Sequence, residues 1–124
     1  MIANIILIGL SYLTFLFIGF MPIIKERNYT TGYRTPRSMK SQELWDFAQK
    51  KTKKVALILG QLYLLTNLVV LYVLNNFVEI NENYTFILIV IPLMILFFII
   101  LIIWVEKSLA KYEKELNLTK KQED

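Results

Sequence analysis

The stretch FILIVIPLMILFFIILIIW, residues 86–104, contains no charged side chain and is interrupted only by Pro92. It belongs to an uncharged run at residues 84–105, and two similar runs occupy residues 2–24 and 55–78. A helix of about 20 apolar residues crosses a lipid bilayer, so each of the three runs is long enough. The sequence therefore predicts an all-α integral membrane protein with three transmembrane helices.

The first run has two interpretations, a cleaved signal peptide or a retained membrane anchor. A signal peptide begins with basic residues and ends at a small-residue cleavage site. The chain has no basic residue before the run and no Ala-x-Ala pattern before Lys25. We therefore expect the run to be retained, so that residues 1–124 form a single membrane domain.

Basic residues predict the orientation of this domain. Residues 25–54 contain nine Lys and Arg against three acidic residues, whereas residues 79–83 contain no basic residue and two acidic ones. The tail at residues 106–124 contains five of each. Lys and Arg are enriched in short loops on the cytoplasmic side. We therefore expect a multi-pass cell-membrane protein whose loop and C-terminal tail are cytoplasmic and whose N-terminus is outside.

The second half of the long loop has a helical pattern. From Ser41 to Val55 apolar side chains recur with the period of a helix, and charged side chains fill the opposite face. Because no helix breaker follows, we expect a cytoplasmic amphipathic helix that leads into the second span. Its apolar side should contact acyl chains or the other spans. That side consists of Leu44, Trp45, Phe47, Ala48, Thr52 and Val55, and Gln49 is assigned to the polar side.

The first half of the loop contains the candidate functional residues. Arg34 and Arg37 have two interpretations: charges that set the topology and touch lipid phosphate, or, for Arg34, a fixed donor to a carboxylate, a phosphate or carbonyl oxygens. Composition favours the first. Gly32 permits a positive φ, and we interpret Trp45 as a packing partner of the loop. The candidate binding or structural residues are Asn28, Gly32, Tyr33, Arg34, Thr35, Arg37, Ser38 and Trp45.

The second span contains a polar face made of Gly60, Gln61, Tyr63 and Asn67. Polar residues at such positions usually hold helices together through interhelical hydrogen bonds, and that interpretation is favoured here. The alternative is a polar lining for a bound peptide. No charged residue lies deep in any span, which argues against a proton relay or an ion-coupled transporter. The chain also has no Cys and no His, so we expect no disulfide, metal site or cofactor.

The segment GYRTPRSMKSQELWDFAQK, residues 32–50, resembles the signature of the SdpI family, membrane immunity proteins against a sporulation-associated toxic peptide. The chain resembles the signature-bearing portion of longer family members. The resemblance implies protection of the producing cell and, for the best-known member, signalling in which a transcriptional repressor is held at the membrane. The matching positions are Asn28, Gly32, Tyr33, Arg34, Thr35, Ser38, Met39, Trp45 and Ala48.

Our first hypothesis is therefore a non-catalytic immunity or resistance protein in which the first two spans sequester a membrane-active peptide. In it, Arg34 and Trp45 of the loop lock the helices together. The second hypothesis is a membrane-tethered module that captures a cytosolic regulator. A third, an enzyme or transporter of lipid-linked phosphate, is the weakest, since no general base stands beside Arg34 and Arg37; we expect no enzyme. Expected partners are membrane lipids, a toxic peptide, a cytosolic regulator or a second copy of the chain, without direct nucleic-acid contact.

Overall fold

The computed structural model describes residues 2–77 and 82–123, with the side chains of residues 4–76 and 88–122. These described residues form three α-helices and no strand, in the order α1 (Ile2–Phe20), α2 (Gln42–Phe77) and α3 (Glu82–Glu123). The all-helical prediction is confirmed for this part of the chain. Residues 78–81, which include most of the predicted external loop, lie outside the described residues.

Helix α1 is shorter than the uncharged run that predicts it. The run extends over residues 2–24, but the helix ends at Phe20. Pro22 explains the difference, because a proline disfavours the helical conformation of the residue before it. Residues 21–24 instead begin the segment that leads into the loop.

Helix α2 is one continuous element of 36 residues that contains both the predicted amphipathic segment and the predicted second span. The hydroxyl of Ser41 accepts a hydrogen bond of 3.2 Å from the Leu44 amide, as expected of the residue that caps a helix N-terminus. Leu44 and Ala48 are buried with Leu109 of α3, and the Phe47 ring stacks on Tyr112 at 4.3 Å. The apolar side of this segment therefore packs against a neighbouring helix.

Helix α3 is longer than predicted. The third predicted span ends at residue 105, but α3 continues through the predicted tail to Glu123. Packing explains the difference: Leu109 is fully buried between α3 and the start of α2. A helix that covers an apolar side of its neighbour gains more than its own propensity supplies.

The three helices share a core that contains large aromatic side chains. The Phe15 ring of α1 stacks on Phe98 of α3 at 4.8 Å and lies 5.3 Å from Tyr63 of α2. Around this core, the outward surface of all three helices is apolar, with exposed side chains such as Phe17, Leu65 and Leu88. Apolar patches of this extent on a protein surface usually contact a membrane or a partner.

Length and composition agree with that surface. Two helical segments, Gln42–Asn76 and Leu88–Gln122, are long and apolar enough to cross a membrane. Within α1, Asn4–Phe20 is a shorter apolar helix. The described residues therefore form two helices that could cross a membrane and one shorter apolar helix.

Candidate functional site

The loop between α1 and α2 is ordered by its own side chains. The Asn28 side-chain oxygen accepts hydrogen bonds from the amides of Thr30 and Thr31, at 3.0 and 2.8 Å. Gly32 follows with a φ of 94°, in the left-handed region that residues with a side chain rarely adopt. A Cβ at this position would also lie 2.7 Å from the Gln49 side-chain oxygen. The backbone therefore requires glycine here for two reasons.

Ser38 orders the next turn of the loop. It is fully buried, and its hydroxyl accepts a 2.9 Å hydrogen bond from the Thr35 amide. The same hydroxyl lies within hydrogen-bonding distance of the carbonyl oxygens of Tyr33 and Thr35. A buried hydroxyl with donor and acceptor partners is fully used, so Ser38 is a structural residue of the loop.

Gln49 of α2 binds the loop backbone directly. Its side-chain oxygen accepts a hydrogen bond from the Tyr33 amide, and its side-chain nitrogen donates to the Tyr33 carbonyl, both at 2.9 Å. Gln49 is buried, so the two bonds are sheltered from water. Sequence analysis assigned Gln49 to the polar face of the helix, whereas the structure places it against the loop.

Glu106 of α3 receives the side chains of the loop. The Tyr33 hydroxyl donates to the Glu106 carboxylate at 3.0 Å, and the Thr35 hydroxyl donates to the same oxygen at 2.6 Å. The Arg37 guanidinium lies 3.5 Å from the other carboxylate oxygen. The two oxygens of the Glu106 carboxylate together contact three side chains of the loop.

A second carboxylate lies two turns further along α3. Glu113 forms ion pairs with Arg37 at 3.0 Å and with Lys40 at 2.6 Å. We use the name docking cluster for the six residues that join the loop to α3: Tyr33, Thr35, Arg37, Lys40, Glu106 and Glu113.

Two residues of the docking cluster have shifted pKa values. The hydrogen bond from Lys40 lowers the pKa of Glu113, and the charges of Lys40 and Arg37 add to the effect. Burial raises the pKa of the Tyr33 hydroxyl well above its ordinary value, and the hydrogen bond to Glu106 raises it further. Tyr33 is therefore a neutral hydrogen-bond donor at physiological pH.

Trp45 of α2 holds the segment that follows α1. The side chain is fully buried, and its ring N–H donates a 2.8 Å hydrogen bond to the carbonyl oxygen of Ile24. The nearby Gln42 side chain donates to the carbonyl oxygen of Lys25 at 2.6 Å. These bonds hold the start of the loop against the first turns of α2.

Arg34 forms its hydrogen bond within the loop, whereas our first hypothesis expected it to help lock the helices together. Its side chain is exposed, and its guanidinium donates to the carbonyl oxygen of Tyr29 within the loop. Arg37, three residues later, is the arginine that reaches α3. The difference arises because Arg37 lies within the turn formed by residues 36–39, whereas Arg34 precedes that turn. Of the residues that our first hypothesis and its alternatives weighed, Arg37 contacts α3 and Trp45 contacts the segment that follows α1.

The polar face of the second span packs mostly against α1. Gly60 is buried, and a Cβ there would lie 2.9 Å from the Phe15 Cβ. The Tyr63 hydroxyl donates to the Ser11 hydroxyl of α1 at 2.9 Å. Asn67 is fully buried and donates to the Tyr63 carbonyl at 2.8 Å. At Gly60 and Tyr63 this face is therefore in contact with α1 of the same chain.

Gln61 is the exception on that face. It is exposed, and its amide donates a 2.6 Å hydrogen bond to the Tyr12 hydroxyl of α1. The surrounding exposed side chains, including Leu62, Leu65 and Leu13, are apolar. A polar pair on an apolar surface offers hydrogen bonds to a molecule that lies along the helices.

Sequence reasoning missed three residues of the loop site, Gln49, Glu106 and Glu113. The two glutamates are seven residues apart, so they share one side of a helix, and the loop supplies basic residues three apart at Arg37 and Lys40. That complementary spacing is the one signal that could have found them. Gln49 gives no comparable signal, because its partner is the backbone.

The structure combines two membrane-capable helices and a shorter apolar helix with a loop whose side chains bind carboxylates of α3. A model of the SdpI/YfhL protein family matches residues 25–105, which include the loop, α2 and the apolar part of α3. The chain belongs to this family. Family membership associates it with membrane immunity, and the family is generally not enzymatic. No curated protein and no solved structure matches the chain.

Proposed function

We propose that the chain is an integral-membrane immunity or resistance protein that protects a cell by binding a membrane-active peptide without chemistry. The observation that carries this proposal is the exposed Tyr12–Gln61 hydrogen bond on an apolar helical surface. In a bilayer, a peptide lying there could satisfy polar groups that acyl chains cannot. The closed α1–α2 contact at Gly60 leaves this outer surface, rather than a groove between the helices, as the binding region.

The proposal includes three membrane spans, a single membrane domain and a cytoplasmic C-terminus. Helix α1 has 19 residues, which at about 1.5 Å per residue gives roughly 28 Å, close to the thickness of the hydrocarbon core. The loop before α2 carries the excess of Lys and Arg, which supports a cytoplasmic position for the loop and for the docking cluster.

In this proposal the docking cluster maintains the fold rather than binding the peptide. Its carboxylates already contact loop residues, and it lies at the end of the helices opposite to the external side. Its contribution is to fix the ends of α1 and α2 relative to α3, so that the Tyr12–Gln61 surface keeps its shape.

Survival of a sensitive bacterial host, challenged with a panel of membrane-active peptides, tests the proposal. We expect wild type to protect against at least one peptide and Gln61→Leu to lose that protection at an equal membrane level. Gln122→Leu, on the exposed end of α3, is the control. Absence of protection by well-expressed wild type, or equal protection by Gln61→Leu, would contradict the proposal.

A second candidate function is the capture of a cytosolic regulator. The observation that favours it is the helical extension of α3 to Glu123, which presents an ordered charged surface outside the apolar part. Arg37 and Lys40 are bound to Glu113, so charge reversal there would disturb the fold itself. The exposed Lys107 and Lys114 are the better test: a regulator that co-purifies with wild type should be lost in Lys107→Glu/Lys114→Glu.

A further inference from the structure

A cavity of about 280 Å³ lies where the end of α1 meets the first third of α2 and the middle of α3. Most of the residues that line it are apolar, among them Ile18, Ile23 and Ile102. The lining also includes the polar residues Thr52 and Lys53. A cavity with both apolar and polar lining residues fits an amphiphilic ligand, whose two parts need different surroundings.

The position of the cavity along the helices also fits an amphiphile. Lys53 precedes the second uncharged run by two residues, and Ile102 lies three residues before the end of the third. In the topology that we propose, both positions lie at the cytoplasmic boundary of the bilayer. Phospholipid headgroups occupy this level, so the inference rests on the proposed topology.

Thr52 supplies an unused polar group. The side chain is about nine-tenths buried, at 9% exposure, and its hydroxyl oxygen has no hydrogen-bond partner among the described residues. Buried hydroxyls are almost always paired, because an unpaired one is destabilising. The oxygen is enclosed, so a turn about the Cα–Cβ bond is needed to direct it into the cavity that the residue lines.

Lys53 supplies a charge. Its side chain is partly exposed and lines the cavity, and Lys50, Lys51 and Lys54 lie beside it in the sequence. Basic residues at a cytoplasmic membrane boundary attract anionic lipids. Because Lys53 also lines a cavity, it can hold the headgroup of such a lipid at one defined position.

We propose that the cavity binds an anionic phospholipid, with the phosphate between the Lys53 ammonium and the Thr52 hydroxyl. The first part of one acyl chain then lies against Ile18 and Ile102. The volume is slightly below that of a typical pocket for a whole small ligand, so the rest of the lipid remains in the bilayer. The bound lipid fills the space between α1 and α3 beside the loop.

Native mass spectrometry of the detergent-purified chain tests this proposal, with phosphatidylglycerol and phosphatidylcholine added at equal concentration as probes. We expect wild type to retain phosphatidylglycerol preferentially. Lys53→Gln should lower this retention about tenfold, the effect of losing one hydrogen bond between charged groups in the cavity. Lys54→Gln, an adjacent exposed lysine outside the cavity lining, should retain as much as wild type.

Thr52→Val tests the hydroxyl separately, because valine has nearly the same shape as threonine and lacks the hydroxyl. We expect lower retention of phosphatidylglycerol together with unchanged or higher thermal stability, since an unpaired buried hydroxyl is removed. Circular dichroism and tryptophan fluorescence check that each variant is folded. Retention equal to wild type in Thr52→Val would overturn the role of the hydroxyl.

Two results would overturn the site as a whole: no preference for phosphatidylglycerol over phosphatidylcholine, or equal losses in Lys53→Gln and Lys54→Gln. Equal losses would mean attraction by the basic surface without a defined cavity. Because the measurement uses no toxic peptide, its failure is distinguishable from failure of the proposed immunity function. A chain that retains the lipid but protects no cell would contradict only the immunity function.

Discussion

The side-chain amide of Gln49 makes two hydrogen bonds of 2.9 Å with the backbone of Tyr33, one as donor and one as acceptor. An amide is the side chain that supplies both functions in one plane. The pair therefore attaches the signature loop to α2 independently of the ionic contacts that attach it to α3.

The Gln49–Tyr33 pair predicts a large effect for a small chemical change. Gln49→Glu keeps the acceptor but loses the donor and places a carboxylate beside the Tyr33 carbonyl. We expect it to lower the free energy of unfolding by about 1–3 kcal/mol, the cost of leaving buried polar groups unpaired. Thermal unfolding in detergent measures this, with Gln122→Glu on the exposed end of α3 as control. Equal unfolding temperatures for both variants would contradict the prediction.

Gly32 predicts a second destabilised variant. Gly32→Ala places a Cβ 2.7 Å from the Gln49 oxygen on a backbone with φ of 94°. A non-glycine residue in such a conformation costs about 1–3 kcal/mol. Gly9→Ala is the control, because a Cβ at Gly9 meets no atom within 4 Å. The same unfolding measurement should show a loss for Gly32→Ala and none for Gly9→Ala.

The close contact between α1 and α2 at Gly60 predicts a third destabilised variant. Gly60→Ala brings a Cβ to 2.9 Å from the Phe15 Cβ, an atom that cannot move without its backbone. We expect the two helices to separate at a cost of about 1–3 kcal/mol, as in other overpacked cores. The stacking of Phe15 on Phe98 should weaken as well. A Gly60→Ala protein as stable as Gly9→Ala would show that α1 adjusts freely.

The same substitution should have a larger effect at Arg37 than at Arg34. Arg37→Gln removes the ion pairs with Glu106 and Glu113, at a cost of about 1 kcal/mol for partly exposed pairs. Arg34→Gln removes a single bond to the Tyr29 carbonyl. Limited digestion with proteinase K should cut the Arg37→Gln loop about fivefold faster, because local opening becomes that much more frequent. Equal rates for Arg34→Gln and Arg37→Gln would remove Arg37 from its assigned role.

The ion pairs of Glu113 should make the stability of the protein depend on pH. Its pKa is lowered in the folded protein, first by the hydrogen bond from Lys40, so its ion pairs stabilise the fold above the ordinary carboxyl pKa. That contribution disappears as the pH falls through the lowered pKa of the folded state. The unfolding temperatures of wild type and Glu113→Gln should therefore differ slightly at pH 7 and converge in acid. A difference that persists below the folded pKa of Glu113 would be inconsistent with this origin.

The sequence predicts the helical class, the family and the continuity of α2 because these depend on local patterns. Uncharged runs and the absence of a breaker before Val55 are visible in the sequence alone. The helical extension of α3 is different, because its polar residues are ordered by Leu109 packing on Leu44 and Ala48. Contacts between residues some 70 positions apart, such as Arg37 with Glu106, have no local pattern that selects one arginine over the other.

The continuous length of α3 has a mechanical consequence. A helix is stiff, so a tilt of its apolar half is transmitted to the 18 residues that follow Val105 and remain helical to Glu123. At about 1.5 Å per residue this extension acts as a lever arm of roughly 27 Å, and a tilt of about 10° would displace its end by about 5 Å. Because Glu106 and Glu113 of this extension bind the loop, a change in packing within the apolar half would carry the loop with it.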